Sequence, residues 1–305
     1  MSFREKLNRA KKDIKQASRD TYLRNIRRLR KVKHELPVPL TGKWLVEKPL
    51  LAWFDKQPLN IRRHLATAAK VALHVYGDKS DAWTSRQSDA MKEFDTDRRK
   101  RELTDKQKKR MPKDGFDSLK HVIKTLKREL KHLLSAPTEW DLKDLVRVQE
   151  LVIISLYYER PLRLDYADIH IDSEEGNYMQ KSKRKPRGYF VTLTDYKTSK
   201  SMGEQRFKFN RANQTLLNKF VPQVRRLTKH GFLLSNKGGN KMSKQVLSKS
   251  LMNTTKKRIG REFSVQLLRI LFAMKNRGVL QSAKEVSQKL LHSQEQSLLY
   301  AKKDG

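Results

Sequence analysis

The sequence predicts a mainly α-helical protein of the α+β class. A basic all-α domain comes first, and a mostly helical domain with a small three-stranded antiparallel sheet follows. Three observations point there. Apolar residues recur at helical spacing from about residue 16 to 105, and nothing in that stretch reads as strand. The most hydrophobic segment, Asp141 to Tyr158, is a helix-length run and is followed at once by a change of period. Short alternating or β-branched segments then appear at 168–171, 188–193 and 206–209, before helical spacing returns at Asn213.

Taken in order, residues 1–15 form a Lys/Arg-rich lead with weak helical periodicity. Tyr22/Leu23, Ile26 and Leu29 then repeat on one helix face, and Ser18 is a candidate N-cap. The opposite face carries Arg24, Arg27 and Arg28. Pro37 and Pro39 end that helix. Trp44 to Phe54 suggests a short helix with a turn. Asn60 to Tyr76 is amphipathic, with Ile61, Leu65, Ala69 and Leu73 on one side and Gly77 as terminator. A further helix spans Ser85 to about Arg99. His64 and His74 fall within these patterns as ordinary packing or surface residues. The all-α domain is expected over 16–105, a charged linker over 106–115 and the second domain over 116–305.

In the second domain a basic helix is expected over Phe116–Leu134, and the Asp141–Tyr158 helix supplies the centre of the core. The three strand-like segments make the sheet. Helices are expected again over Asn213–Leu227, Ser243–Gly260, Ser264–Asn276 and Ala283–His292, with a short strand at 232–234. The run Lys181-Ser182-Lys183-Arg184-Lys185 lies in a stretch expected to form a loop between strands. It fits a solvated loop, an import signal or a contact to a polyanion's backbone.

The charge balance narrows the function. The chain has 305 residues, with 69 Lys+Arg against 33 Asp+Glu, a formal net charge of +36. A compact protein with that much self-repulsion calls for a polyanionic partner, and the basic residues run along the whole length. Nucleic acid is the leading candidate, bound in a groove or clamp, and a membrane surface is the second. The arginine face of the first long helix then reads either as solvated or as lying on phosphates. There is no cysteine, which excludes disulfides, thiolate nucleophiles and cysteine-type zinc sites. No apolar run reaches the roughly 18 residues of a spanning helix. Residues 1–7 lack the apolar core of a secretory signal. A soluble intracellular protein is expected.

Several polar residues stand out against this frame. Glu159-Arg160-Pro161-Leu162-Arg163-Leu164-Asp165-Tyr166 follows the core helix directly. Asp195-Tyr196-Lys197-Thr198-Ser199-Lys200 sits at a strand end. Gln266 and Arg269 lie in an apolar helix, where an arginine is costly unless paired. His292 follows an apolar pair, and Tyr300 lies eight residues on.

In order and spacing these segments resemble the tyrosine recombinase, or phage-type integrase, family. The forms Pro161-Leu162-Arg163-Leu164-Asp165-Tyr166 and Asp195-Tyr196-Lys197-Thr198-Ser199-Lys200-Ser201 look like its branch in large DNA viruses of eukaryotes and their mobile elements. The resemblance covers about residues 116–305 and, more loosely, the helical domain before them. It implies a site-specific recombinase or integrase that cleaves and rejoins duplex DNA. The catalytic set would be Arg163, Lys197, Gln266, Arg269, His292 and the nucleophile Tyr300. Arg160 remains a rival to Arg163, and Gln266 stands where the family usually has histidine. DNA contacts are expected from Arg24, Arg27, Arg28, Lys181, Lys183, Arg184, Lys185 and Lys200. The resemblance further implies self-association as a tetramer on paired DNA sites, no metal or other cofactor, and no membrane. Localisation would follow the DNA, in the nucleus or a cytoplasmic viral compartment. A topoisomerase of type IB would use similar chemistry, and an inactive basic DNA-binding protein would share the charge.

Overall fold

A computed structural model describes residues 2–32, 38–39, 41–100, 102–182, 188–276 and 289–290. The chain divides into two compact units, 1–100 and 101–305.

Among its described residues the first unit consists of helices and connecting turns, with no strand. Helix α1 (Phe3–Ala10) occupies the stretch expected as a basic lead. Ser2 caps it: the Ser2 hydroxyl accepts from Glu5 N, and the Glu5 carboxylate accepts from Ser2 N. Phe3 and Leu7 are buried, with the Phe3 ring 5.2 Å from that of Tyr76. Helix α2 (Gln16–Lys31) buries Leu23, Ile26 and Leu29. Its cap position is Lys15, and Ser18 lies inside the first turn, so Ser18 does not cap the helix. A 3-10 turn at Lys43–Val46 leads into α3 (Lys48–Asp55). Helix α4 (Leu59–Tyr76) stops at Gly77, whose φ of 79° suits a residue without a side chain. Helix α5 (Asp81–Lys100) begins earlier than the sequence pattern suggests. Its Trp83 is fully buried, donates to Leu45 O (2.8 Å) and meets the Phe54 ring edge-on.

In the second unit, α6 (Asp105–Arg110) occupies the first half of the stretch expected as a linker, 106–115. Thr104 caps it, and Arg110 pairs with Glu262. The single basic helix expected over 116–134 is two helices, α7 (Ser118–Glu129) and α8 (Lys131–Ser135), broken at Leu130. Helix α9 (Leu142–Glu159) is the central core helix and buries every residue from Leu151 to Tyr157.

The sheet is antiparallel, in the order β1 (Tyr178–Ser182), β2 (Gly188–Leu193), β3 (Gln205–Lys208). Val191 is in register with Met179 and with Phe207, and all three are buried. The expected strand at 168–171 is replaced by β1. Residues 165–168 form a 3-10 turn instead, and His170 makes only isolated bridges to Tyr178 and Phe232. Ile169 and Ile171 are both buried, so the stretch alternates like a strand without pairing as one. The segment 232–234 is likewise reduced to a bridge at Phe232.

A short helix, α10 (Ser199–Met202), sits between β2 and β3. Helices α11 (Arg211–Leu227), α12 (Lys244–Ile259) and α13 (Val265–Lys275) complete the described architecture. Two buried amides fasten loops and strands to helices. Gln214 of α11 accepts from Tyr189 N and donates to Tyr189 O. Gln149 of α9 does the same for Ser235. Among the described residues, no helix is long and apolar enough to cross a membrane.

Candidate active site

The site is built on the turn that follows α9. The helix ends at Glu159, and Arg160 is extended (φ −144°, ψ 95°), which turns the chain out of the helix before Pro161. Three buried side chains hold the turn by its carbonyls. The Tyr166 hydroxyl donates to Arg160 O (2.7 Å), an Arg269 Nη donates to Pro161 O (2.8 Å), and the Tyr157 hydroxyl donates to Arg163 O (2.5 Å). The two tyrosine rings meet edge to face, with centroids 5.1 Å apart.

Arg269 comes from α13, which Ser264 caps by accepting from Leu267 N. It is 2% exposed in an otherwise apolar helix. Its second Nη donates to Leu290 O (2.7 Å), and Leu290 is itself buried. The guanidinium thus ties the turn after α9 to the chain two residues before His292. Burial of a charged group is tolerated here because its donors meet carbonyl acceptors.

Asp165 stands at the electrostatic centre. Burial pushes its carboxyl above the usual aspartate range, against the opposing pull of Arg163, then Lys244, then Arg269. Arg269 meets the turn carrying Arg163 at Pro161 O, and both guanidinium charges oppose the upward shift of Asp165. Burial also raises the Tyr157 phenol well above its ordinary value; Asp165 adds to this and Arg269 opposes it. Arg160 is placed differently. Its guanidinium lies 3.9 Å from the centre of the Phe207 ring, and burial lowers its pKa.

Lys197 is exposed, in the turn between β2 and α10. Asn177 holds that turn: its side chain accepts from Thr194 N and Asp195 N and donates to Asp195 O. The neighbouring Tyr196 is buried, and burial raises its phenol above the ordinary value, with Asp165 adding to the shift. Gln266 is exposed on the first turn of α13, one turn before Arg269. His292 and Tyr300 lie outside the described residues, as do Lys183, Arg184 and Lys185.

Of the other expected contacts, Lys181 is exposed in β1, its ammonium 5.5 Å from the Tyr189 ring, and Lys200 is exposed on α10. In the first unit, Arg24, Arg27 and Arg28 are exposed along α2. With Arg4 and Lys31 they line a concavity of about 520 Å³, which also has Asp20 and Leu23 in its wall.

Three residues here were not singled out by the sequence. Tyr157 is one apolar-run aromatic among many. Asp165 enters only as part of a motif. Lys244 follows the Ser243 cap of α12, pairs with Asp168 (2.6 Å) and also feels Asp165 and Asp195. A lysine in the first turn of a helix, where a positive charge is disfavoured, was the one available signal for Lys244. Among the described residues, no group of three or more His, Asp or Glu is placed to hold a metal ion.

No family model and no curated protein sequence matches the chain. Solved structures do. The XerH site-specific recombinase, in a pre-cleavage complex with its difH substrate, is 13% identical with a TM-score of 0.57; the match covers 94% of this chain and 76% of that one. A lambda integrase dimer bound to a COC′ core site is 14% identical with a TM-score of 0.56, over 99% of this chain and 94% of that one. At such identity the likeness establishes the fold: the chain has the fold of these site-specific recombinases.

Proposed function

We infer that the chain is a site-specific DNA recombinase that cuts and rejoins duplex DNA through a covalent tyrosyl link. What supports this reading is a fold shared with a recombinase and an integrase solved on DNA, together with Arg269 bonded to Pro161 O (2.8 Å) on the turn that carries Arg163.

The chemistry follows from the residue types. A phenol with a pKa of about 10 is a weak nucleophile, so the phosphodiester it attacks must have its charge neutralised. Arg163 and Arg269 supply that charge, since guanidinium forks match phosphate oxygens and stay protonated. The Tyr300 oxygen forms the new bond to phosphorus and gives up its proton to water, which later reprotonates the Lys197 amine. The 5′ oxygen leaves and takes a proton from the Lys197 ammonium. His292 adds a hydrogen bond to the same phosphate. Gln266 donates its amide N–H there and cannot exchange protons. The products are a 3′-phosphotyrosyl link and a free 5′ hydroxyl. Because the phosphate stays activated, a second DNA hydroxyl can reverse the step at a new junction. Duplex DNA is the partner, and a tetramer on two paired sites is the working assembly.

The test is covalent capture. Wild-type protein is incubated with a library of random duplexes and denatured, and the DNA that stays attached to protein is sequenced. Wild type is expected to trap an enriched sequence, and Tyr300→Phe to trap none. An adduct that survives Tyr300→Phe, or no adduct from wild type, removes the catalytic reading and leaves a basic DNA-binding protein. Supercoil relaxation without joining of paired captured sites would move the reading to a type IB topoisomerase.

A further inference from the structure

The turn carrying Arg163 has left α9 and has no helix to hold it. Around Arg163 the backbone bonds are local ones, Leu162 N to Arg160 O (2.8 Å) and Ala167 N to Leu164 O (3.2 Å), and neither involves Arg163 itself. The remaining order comes from side chains on the turn's carbonyls. Tyr166 and Arg269 hold two of them, and both belong to segments already assigned to the site. The third tether is Tyr157, on the last turn of α9, six residues before Arg163 and outside those segments.

We propose that Tyr157 is the positioning residue for Arg163: its hydroxyl, donating across 2.5 Å to Arg163 O, fixes the direction in which that arginine is presented to a DNA phosphate. This rests on the recombinase reading above. The peptide plane at Arg163 sets the Cα–Cβ direction of a long side chain, and a small rotation there moves the guanidinium far. Tyr157 is fully buried, and its ring packs edge-on against Tyr166, so the ring itself cannot drift. Its hydroxyl reaches the one carbonyl of the turn that belongs to the catalytic arginine itself. A buried phenol needs some acceptor, and many would serve for stability alone. This one is directed at Arg163.

Tyr157→Phe removes the hydroxyl and leaves the ring. The probe is a captured duplex made in two forms, with an ordinary phosphodiester or an uncharged methylphosphonate at the cleaved position. On the ordinary linkage, adduct formation should slow about ten- to a hundredfold, as for a misplaced catalytic group. Affinity for the duplex should stay within about twofold, because uniform binding is untouched. On the methylphosphonate the defect should shrink, since there is no phosphate charge left for Arg163 to neutralise. Amide hydrogen exchange at residues 162–166 should rise while the interior of α9 keeps its protection. An equal defect on both linkages, or unchanged exchange at 162–166, overturns the proposal. If wild type forms no adduct at all, the recombinase reading falls by itself. Exchange then decides alone: a rise keeps Tyr157 as the residue that holds the Arg163 turn, and no rise removes it.

Discussion

Arg160 and Arg163 lie three residues apart on one turn, and their surroundings separate them. Arg160 stacks on Phe207 beside Tyr166 and Glu159. The charge of Arg163 is the largest of those opposing the upward shift of Asp165, ahead of Lys244 and Arg269. In the sequence both follow the core helix and both suit a phosphate, so residue type does not choose between them. Substitution should split them. Arg163→Ala is expected to lower covalent adduct formation at least a hundredfold, the scale seen when one charge-stabilising group is removed, with little change in the urea midpoint. Arg160→Ala is expected to lower the urea midpoint through weaker packing and loss of the cation–π interaction, worth about 1–2 kcal/mol. Equal effects of the two changes on both measurements would mean that the turn does not distinguish the arginines.

At the scale of elements, helices are legible wherever one face is apolar at a period of 3.6. The sequence places α2, α4 and α9 with ends near their structural ones because Leu23/Ile26/Leu29, Leu65/Ala69/Leu73 and the apolar run at 145–157 leave no other period. The first strand is misplaced for a physical reason. Ile169 and Ile171 are buried in alternation, yet they run beside other segments without a ladder, while β1 carries the polar residues Gln180, Lys181 and Ser182. Alternation reports burial of one side of an extended chain; pairing needs a partner that a local pattern does not reveal. The proposed site divides the same way. Arg163, Lys197 and Arg269 are candidates by order along the chain, whereas the contacts of Tyr157 with Arg163 O and of Lys244 with Asp168 depend on who lies opposite. Gln214 makes the same point for the sheet, since one amide side chain satisfies both backbone groups of Tyr189. Gln214→Leu leaves a buried N–H and C=O without partners, at a cost of about 2–4 kcal/mol. Chemical denaturation should show that loss, and a change under about 0.5 kcal/mol would mean the strand has found other partners.

At the scale of the whole molecule, charge dominates. With a net charge of +36 over 305 residues, the proposed binding to duplex DNA should be a matter of counterion release. The affinity of wild type should fall steeply with salt, its logarithm following log salt with a slope of roughly −6 to −10. The arginine face of α2 should account for a countable share of that slope. Combined Arg24→Ala, Arg27→Ala and Arg28→Ala should make it shallower by about 2 to 3, at about 0.9 for each phosphate no longer neutralised. An unchanged slope would place α2 off the DNA. The sequence announces the polyanion but not the face that meets it, because basic residues lie along its whole length.

Arg269 sits at 2% exposure with carbonyls on two sides, so it belongs to the folding core as well as to the proposed reaction. Loss of such a residue lowers the population of folded protein, and in a cell that lowers abundance through proteolysis. Arg163 is half-buried on its turn, so its loss should cost less stability than loss of Arg269. Genetic selection for lost recombination would therefore return two kinds of variant from neighbouring arginines: a scarce protein from position 269, and a plentiful, silent one from position 163.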